Sequence, residues 1–217
     1  MVANYTWAHG LNDVLDDSAA GSSYYALVPS QISTYDYASS DLDQRQRFTT
    51  GFGYELPFGK NTSGLKKAAI GGWQINSILV WATNLPVTVV NGTKDYSNQG
   101  YGSGDRPNQV ASASLASPSI SEWFNINAFQ SQTFGTLGNS RRNDVYGPHQ
   151  RHFDFSVFKT FPIHERFTGE FRAEAFNLTN TPNYAEPNVS LGSSSFGKIS
   201  STSQDPRDIQ FALKLLF

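Results

Sequence analysis

Six segments of this chain alternate apolar and polar side chains with a period of two, over lengths that are unusual for soluble strands. They are residues 2–8, 46–56, 72–83, 151–161, 166–177 and 207–217. Each predicts a strand of roughly 7 to 12 residues, whereas soluble strands average about 5 to 6 and tilted membrane-spanning strands need about 9 to 11. Helical periodicity is almost absent. The pattern predicts an all-β fold, an antiparallel up-and-down meander of about six long strands.

The connections between these segments alternate strictly between short and long. Residues 57–71 form a moderate turn and residues 162–165 a tight one, whereas residues 10–45, 84–150 and 178–206 form long connections rich in Ser, Asn, Gly, Asp and Pro. An irregular loop of about 65 residues is unusual in a compact soluble domain. The alternation is typical of transmembrane outer-membrane β-barrels, which have short periplasmic turns and long outer loops.

The two faces of the predicted strands differ in charge. In four strands one face is rich in Phe and nearly free of charge, while the other carries Arg47, Glu55, Glu170, Arg172, Glu174 and Lys214. Because a charge facing lipid costs about 2 to 4 kcal/mol at the midplane, we expect the charged face to line a barrel lumen. Lys159 breaks this rule, and we expect it to snorkel to the interface from near the strand end at Phe161. An aromatic girdle is suggested by Tyr5, Trp7, Phe161 and Phe217.

Composition excludes several classes of protein. The 217 residues carry a net charge of −2, which argues against nucleic acid as a partner. The absence of Cys excludes disulfide scaffolds, thiolate metal sites and thiol catalysis. No apolar run is long enough for a transmembrane helix, but barrel strands need only alternation.

The number of predicted strands is too small for a closed membrane barrel, since the smallest barrels have about eight. An open sheet in lipid would leave two unpaired edges. The first residues also lack the basic and apolar regions of an export signal. We therefore expect residues 1–217 to be the C-terminal portion of a larger barrel in a longer exported chain.

Two other interpretations remain open at this point. Alternation alone also fits a soluble antiparallel β-sandwich, which would be a surface-binding or adhesion module. A small, independent porin-like barrel needs at least two further strands, for which residues 22–37 and 193–201 are the candidates.

Several segments resemble the C-terminal barrel of TonB-dependent transporters of the Oar-like, acidobacterial type. They are DQRQRF (43–48), YELPFGK (54–60), GGWQIN (71–76), WFN (123–125), FGTLGN (134–139), GP (147–148), FDFSVFK (153–159), FRAEAFNLTN (171–180) and DPRDIQFALKLLF (205–217). FRAEAFNLTN is the most specific of these. The segments follow the family order from about residue 43 to the C-terminus.

The resemblance implies an outer-membrane barrel of about 22 strands that is closed by an N-terminal plug domain. It implies outer-membrane lipid, the rest of the barrel, the plug and the outer-membrane assembly machinery as partners, with TonB reached only through the plug. The assembly machinery would read the terminal alternation of Phe211, Leu213, Leu215 and Phe217. The substrate is not implied, although the loop at 90–146 would suit a carbohydrate or a peptide.

Candidate chemistry in the sequence is weak, and we expect no catalytic residue, metal site or cofactor. His149 and His152 are possible metal ligands, but a spacing of three places them on opposite faces of a strand. Glu170, Arg172 and Glu174 resemble a carboxylate pair for acid–base catalysis, but such alternation more often forms a salt-bridged ladder. The glycines at 102–104 and 192–197 lack the spacing of a dinucleotide site or a nucleophile elbow.

Overall fold

The computed structural model describes residues 1–13, 35–60, 62–98, 105–164 and 167–217. The strands in this part of the chain are β1 (Val2–Trp7), β2 (Leu11–Asn12), β3 (Ala38–Ser39), β4 (Gln46–Glu55), β5 (Trp73–Ala82), β6 (Pro86–Val87), β7 (Asn108–Gln109), β8 (Phe129–Gln130), β9 (Val145–Tyr146), β10 (Gln150–His164), β11 (Phe167–Phe176) and β12 (Asp208–Leu216). The helical segments are α1 (Gly64–Ile70) and a 3-10 turn (Ile126–Ala128). None of these helical segments is long and apolar enough to cross a membrane.

The long strands form one antiparallel sheet, with the order β1-β4-β5-β10-β11-β12 in the described residues. Each long strand pairs with the next long strand along the chain, so the sheet is the up-and-down meander that the alternation predicts. In five of the six segments the predicted bounds differ from the observed ones by at most one residue at either end.

In the observed register, the apolar faces of all six strands lie on the same side of the sheet. Phe48, for example, lies opposite Tyr5 on one side and Trp81 on the other, and the same parity continues through β12. Directly opposed residues point to the same side of a sheet. The Phe-rich faces therefore form one continuous apolar surface, and the charged faces form a polar surface on the other side.

No second sheet covers the apolar surface in the part of the chain that the structure describes. Its side chains on the edge strands are largely exposed, with Tyr5 60%, Phe211 70% and Leu213 74% accessible. A sandwich would bury such a face against another sheet, so the sandwich interpretation does not describe this fold. The porin-like alternative gains no support, because residues 193–201 form turns; most of the other candidate, residues 22–34, lies outside the described residues.

The tight turn predicted at 162–165 is placed too early. β10 continues to His164, and Pro162 pairs with Thr168 of β11. The register shifts between Pro162 and His164. Proline has no amide hydrogen for a regular ladder and is tolerated at such irregularities, so the strand continues through it.

The connection at 57–71 contains helix α1, which the sequence pattern did not predict. The helix ends at Gly71, whose amide donates to the carbonyl of Lys67 at 2.9 Å. Gly72 follows with a φ of 70°, and a Cβ there would overlap the carbonyl oxygen of Thr160. Only glycine fits at position 72, where the connection lies against β10.

Lys159 is not near the end of its strand, as the prediction assumed, and its ammonium group reaches a backbone carbonyl. It is only 8% exposed, and its ammonium group donates a hydrogen bond to the carbonyl of Gly71 and lies 5.1 Å from the centre of the Trp73 ring. The strand continues past Phe161, so the side chain is not at a strand end. Its charge is stabilised instead by the carbonyl end of α1, where cations are favourable.

Candidate functional site

The three long connections leave the same end of the sheet, because each joins neighbouring antiparallel strands there. They comprise residues 8–45, 83–149 and 177–207, and we call their described residues the loop assembly. Short ladders between β2 and β3, β6 and β9, and β7 and β8 organise it. A bridge between Val90 and Ser190 joins the second connection to the third. The predicted long loops therefore pack into one structure.

An aromatic cluster forms the core of the loop assembly. Phe124 and Phe129 of the second connection meet Phe196 of the third, with ring centroids 5.2 to 6.3 Å apart and edge-to-face geometry. The buried residues around them are Val89, Ala113, Ala128 and Val145. Burying three aromatic rings supplies the apolar area that an isolated loop lacks.

A buried arginine fastens the first connection to the second. The Arg142 side chain is fully buried and forms an ion pair with Asp41 at 3.2 Å. It also donates to the carbonyl oxygens of Asn12 at 3.0 Å and Asp36 at 3.2 Å. The neighbouring Asn143 donates to the other oxygen of Asp41 at 2.5 Å. The guanidinium also donates to the side-chain oxygen of Asn12, so it binds at least four acceptors from one connection, which suits its fork of donors.

Asp43 is the centre of a second buried polar cluster. Its carboxylate accepts hydrogen bonds from the Gly10 amide at 2.9 Å, Arg45 at 2.6 Å and the Tyr146 hydroxyl at 2.9 Å, and His9 lies 3.3 Å away. Burial alone raises the pKa of this carboxyl, but these hydrogen bonds outweigh burial and hold the pKa below its usual range. The cluster therefore joins the first connection to β9 through a charged carboxylate.

We expect the Asp43 cluster to weaken in acid. A carboxyl whose pKa is lowered by folding stabilises the folded state above its unfolded value, about 3.9, and this stabilisation is lost as the pH falls through the folded pKa. Asp43→Asn should therefore lower the stability of the loop assembly by about 1 to 3 kcal/mol at neutral pH. The difference from the unaltered protein should shrink below about pH 4.

Thermal unfolding of both proteins as a function of pH measures this effect. Asp144→Asn is the matched control, because Asp144 is an exposed aspartate of the same assembly. A stability difference between D43N and the unaltered protein that stays constant from neutral pH to pH 3 would contradict the role of the Asp43 charge.

A cleft of about 640 Å³ opens between the second and third connections. Its side-chain donors and acceptors are amides, hydroxyls and one ammonium group, from Asn91, Thr93, Lys94, Tyr96, Gln130, Ser131, Ser190 and Ser193. Such groups bind hydroxyl-rich or amide-rich ligands by hydrogen bonds. This capture cleft is the best candidate binding site in the described residues, and it lies within the predicted loop at 90–146 and its neighbour.

A smaller cleft of about 310 Å³ has a more aromatic lining. Trp123 lies in it and donates its indole N–H to the Tyr146 carbonyl at 2.8 Å. His149 also lines it, with its ring 5.5 Å from that of Trp81. The indole N–H of Trp123 is therefore already hydrogen-bonded within the protein.

The residues of the predicted assembly signal are placed together on the apolar surface of edge strand β12. Phe211, Leu213, Leu215 and Phe217 are 56 to 94% exposed. The Phe211 ring stacks on Phe171 of β11 at 6.2 Å. The signal residues are thus accessible at an edge that, in the described residues, pairs only with β11.

The candidate chemical groups on the strands are engaged in structural contacts. His152 forms a 2.8 Å contact with Asp154, away from His149. Arg172 donates to Glu170 at 2.5 Å, and Gln210 donates to Glu174 at 3.0 Å. The contacts on the polar surface are therefore ion pairs within single strands and one amide–carboxylate hydrogen bond between β11 and β12, and not the predicted ladder of salt bridges between neighbouring strands. Among the described residues no group of three His, Asp or Glu side chains could hold a metal ion.

The buried ion pairs of the loop assembly were not predicted from the sequence. Asp41 and Asp43 precede β4 among polar loop residues, and only their proximity to Arg45 signals a charged cluster. Arg142 lies 101 residues after Asp41 in the chain. No periodic pattern relates positions so distant in the chain.

Comparison with known proteins agrees with this architecture. The family model of the outer membrane beta barrel domain matches residues 1–210. No curated protein and no solved structure matches the chain significantly. The match covers all six long strands except the end of β12. The chain therefore belongs to the outer membrane beta barrel domain family and is an outer-membrane protein.

Proposed function

We propose that this chain is the C-terminal portion of the barrel of a TonB-dependent transporter of the Oar-like type, and that its loop assembly captures a polar substrate for import. The observation that carries the proposal is the loop assembly itself. A barrel that only anchors a protein has no need of a cored, ion-paired assembly with a cleft of about 640 Å³ at one end. Substrate capture explains why the described residues of these connections pack into one assembly.

The resemblance to that family gains support from two of its segments, which meet at one turn. Asn177 of FRAEAFNLTN has a φ of 48° and ends β11. Its amide donates to Asp154 of FDFSVFK at 2.9 Å, and its side chain donates to the Thr181 carbonyl at 3.1 Å. Asparagine is among the few residues that adopt this left-handed conformation readily. These motif residues therefore stabilise the turn at which the chain leaves β11 and enters the third connection.

The proposal includes partners beyond the chain itself. Edge strands β1 and β12 would pair with further strands of a larger barrel, since six strands do not enclose a lumen in lipid. A plug domain would contact the polar surface and TonB, and the assembly machinery would read the exposed alternation of β12. Backbone pairing at an open sheet edge is the general mode of such recognition.

The substrate would be a carbohydrate or a peptide, because the capture cleft presents several hydrogen-bonding side chains. We propose no catalytic role, since the charged groups of the strands are engaged in ion pairs and hydrogen bonds. The protein would bind and pass on its substrate unchanged.

Growth of the host bacterium on a panel of oligosaccharides and peptides tests the proposal. Loss of the gene should abolish growth on at least one compound at low concentration, and inactivation of TonB should reproduce that loss. Tyr96→Ala with Gln130→Ala should impair uptake of the same compound, whereas the exposed pair Ser121→Ala with Asn127→Ala, outside the cleft, should not. Uptake that requires the gene but not TonB would indicate a passive porin instead.

A further inference from the structure

The two ends of the sheet carry opposite charge. The connection between β4 and β5, residues 56–72, contains Lys60, Lys66 and Lys67 and no acidic residue. At the other end, the described residues of the loop assembly contain ten acidic residues and seven lysines and arginines, so that end is net acidic. Because lysines are few in this chain, their concentration in one short connection is a distinct feature.

The short connection is fixed against the end of the apolar surface. The Trp73 indole belongs to that surface and donates to the Ala69 carbonyl of α1 at 3.1 Å. Lys159 of the same surface binds the Gly71 carbonyl from β10. Helix α1 is therefore held where the lipid-facing surface of an outer-membrane barrel meets the aqueous boundary.

The exposed side chains of this connection combine apolar and cationic groups. Phe58 is 59% exposed and Ile70 47% exposed, and the three lysines are also exposed. None of the three lysines forms an ion pair with the described residues. Lys60 and Lys67 line a cleft of about 390 Å³ together with Phe58, Trp73 and one carboxylate, Glu55. The combination is typical of segments that lie in a membrane interface.

We propose that the β4–β5 connection binds the phosphate groups of glycerophospholipids in the leaflet that borders the short connections. The ammonium groups of Lys60, Lys66 and Lys67 would contact headgroup phosphates, while Phe58 and Ile70 enter the acyl boundary. Lysine binds phosphate as a point charge, and basic clusters next to a membrane surface attract anionic lipid. The opposite end has a small excess of acidic residues and would attract phosphates less. This inference rests on membership of the barrel family and not on the proposed transport activity.

Lipid titration of the purified protein, in the full-length form that cells produce, tests the proposal. Native mass spectrometry would count bound dioleoylphosphatidylglycerol on the unaltered protein and on the triple variant Lys60→Gln, Lys66→Gln, Lys67→Gln. Each lysine near a membrane surface contributes about a fivefold change in affinity, so the triple variant should bind at least about tenfold more weakly. The charge-retaining triple Lys→Arg variant should restore binding, which distinguishes lost charge from altered folding.

The matched control removes three cations from the other end. Arg141, Lys198 and Arg207 are exposed residues of the loop assembly, and their triple Gln variant should bind phosphatidylglycerol within about twofold of the unaltered protein. Lipid A is the second probe, since it also carries phosphate. Equal phosphatidylglycerol binding by the unaltered protein and the Lys60/Lys66/Lys67 variant would overturn the proposal. Binding of phosphatidylglycerol or lipid A that is lost in the loop-assembly control and kept in the Lys60/Lys66/Lys67 variant, for both lipids, would overturn it as well.

Discussion

Replacing Arg142 with methionine is expected to detach the first long connection from the second and to destabilise the loop assembly by about 3 to 5 kcal/mol. The substitution leaves the Asp41 carboxylate and the carbonyls of Asn12 and Asp36 without their buried cationic donor. Removing one partner of a buried ion pair is costly because the remaining charge stays desolvated. Packing alone does not compensate, since the side chain that replaces Arg142 offers no hydrogen bonds.

Hydrogen exchange of the amides in residues 35–45 measures this effect directly. Their protection should fall by about two to three orders of magnitude or more, as expected for local opening at that cost. Arg141→Met is the matched control, because Arg141 is the adjacent arginine and is exposed. Unchanged protection in R142M would show that the other contacts of the first connection, such as the hydrogen bond from Tyr146 to Asp43, hold it in place without Arg142.

Replacing Phe155 with arginine is expected to destabilise the barrel by about 2 to 4 kcal/mol, the cost of a cation near the bilayer midplane. Phe155 lies in the middle of β10, a central strand, and pairs with Ser77 and Ala175 on the apolar surface. The register that aligns the apolar faces therefore predicts contact with lipid at this position. β10 pairs on both sides, so the effect does not depend on an unpaired edge.

Ser156→Arg is the control, one residue along the same strand. Ser156 faces the polar surface opposite Asn76 and Glu174, where an arginine gains a carboxylate partner. Urea titration of the full-length protein in lipid vesicles should show little change for S156R and a clear loss of stability for F155R. The reverse order would mean that the apolar surface faces the lumen and not the lipid.

The strands of the sheet were predictable because their signal is local. The strands β4, β11 and β12 each carry apolar residues at every second position. The apolar face and the bounds of each strand can therefore be read from about ten residues. The alternation of short and long connections added the meander topology. The predicted turn was wrong at Pro162. A proline usually interrupts a strand, but a register shift at this position lets β10 continue.

Lys159 shows what the sequence could not reveal about a charge on an apolar face. The sequence places a charge on an apolar face, and snorkelling is the usual solution for such a residue. Its actual partner, the Gly71 carbonyl, belongs to a connection 88 residues earlier in the chain. Only the pairing of β10 with β5 brings the two together.

The sequence by itself determined the all-β class, the six long strands, the alternating faces and the place of the long connections. Each of these features depends on the period or composition of a short stretch of chain. Tertiary structure alone decided how the long connections pack. Arg142 meets Asp41 and Phe196 meets Phe124 across large sequence separations. Irregular segments have no period that relates distant side chains. Which charge pairs with which, and which rings pack together, is therefore decided only when the folded sheet places the connections at the same end.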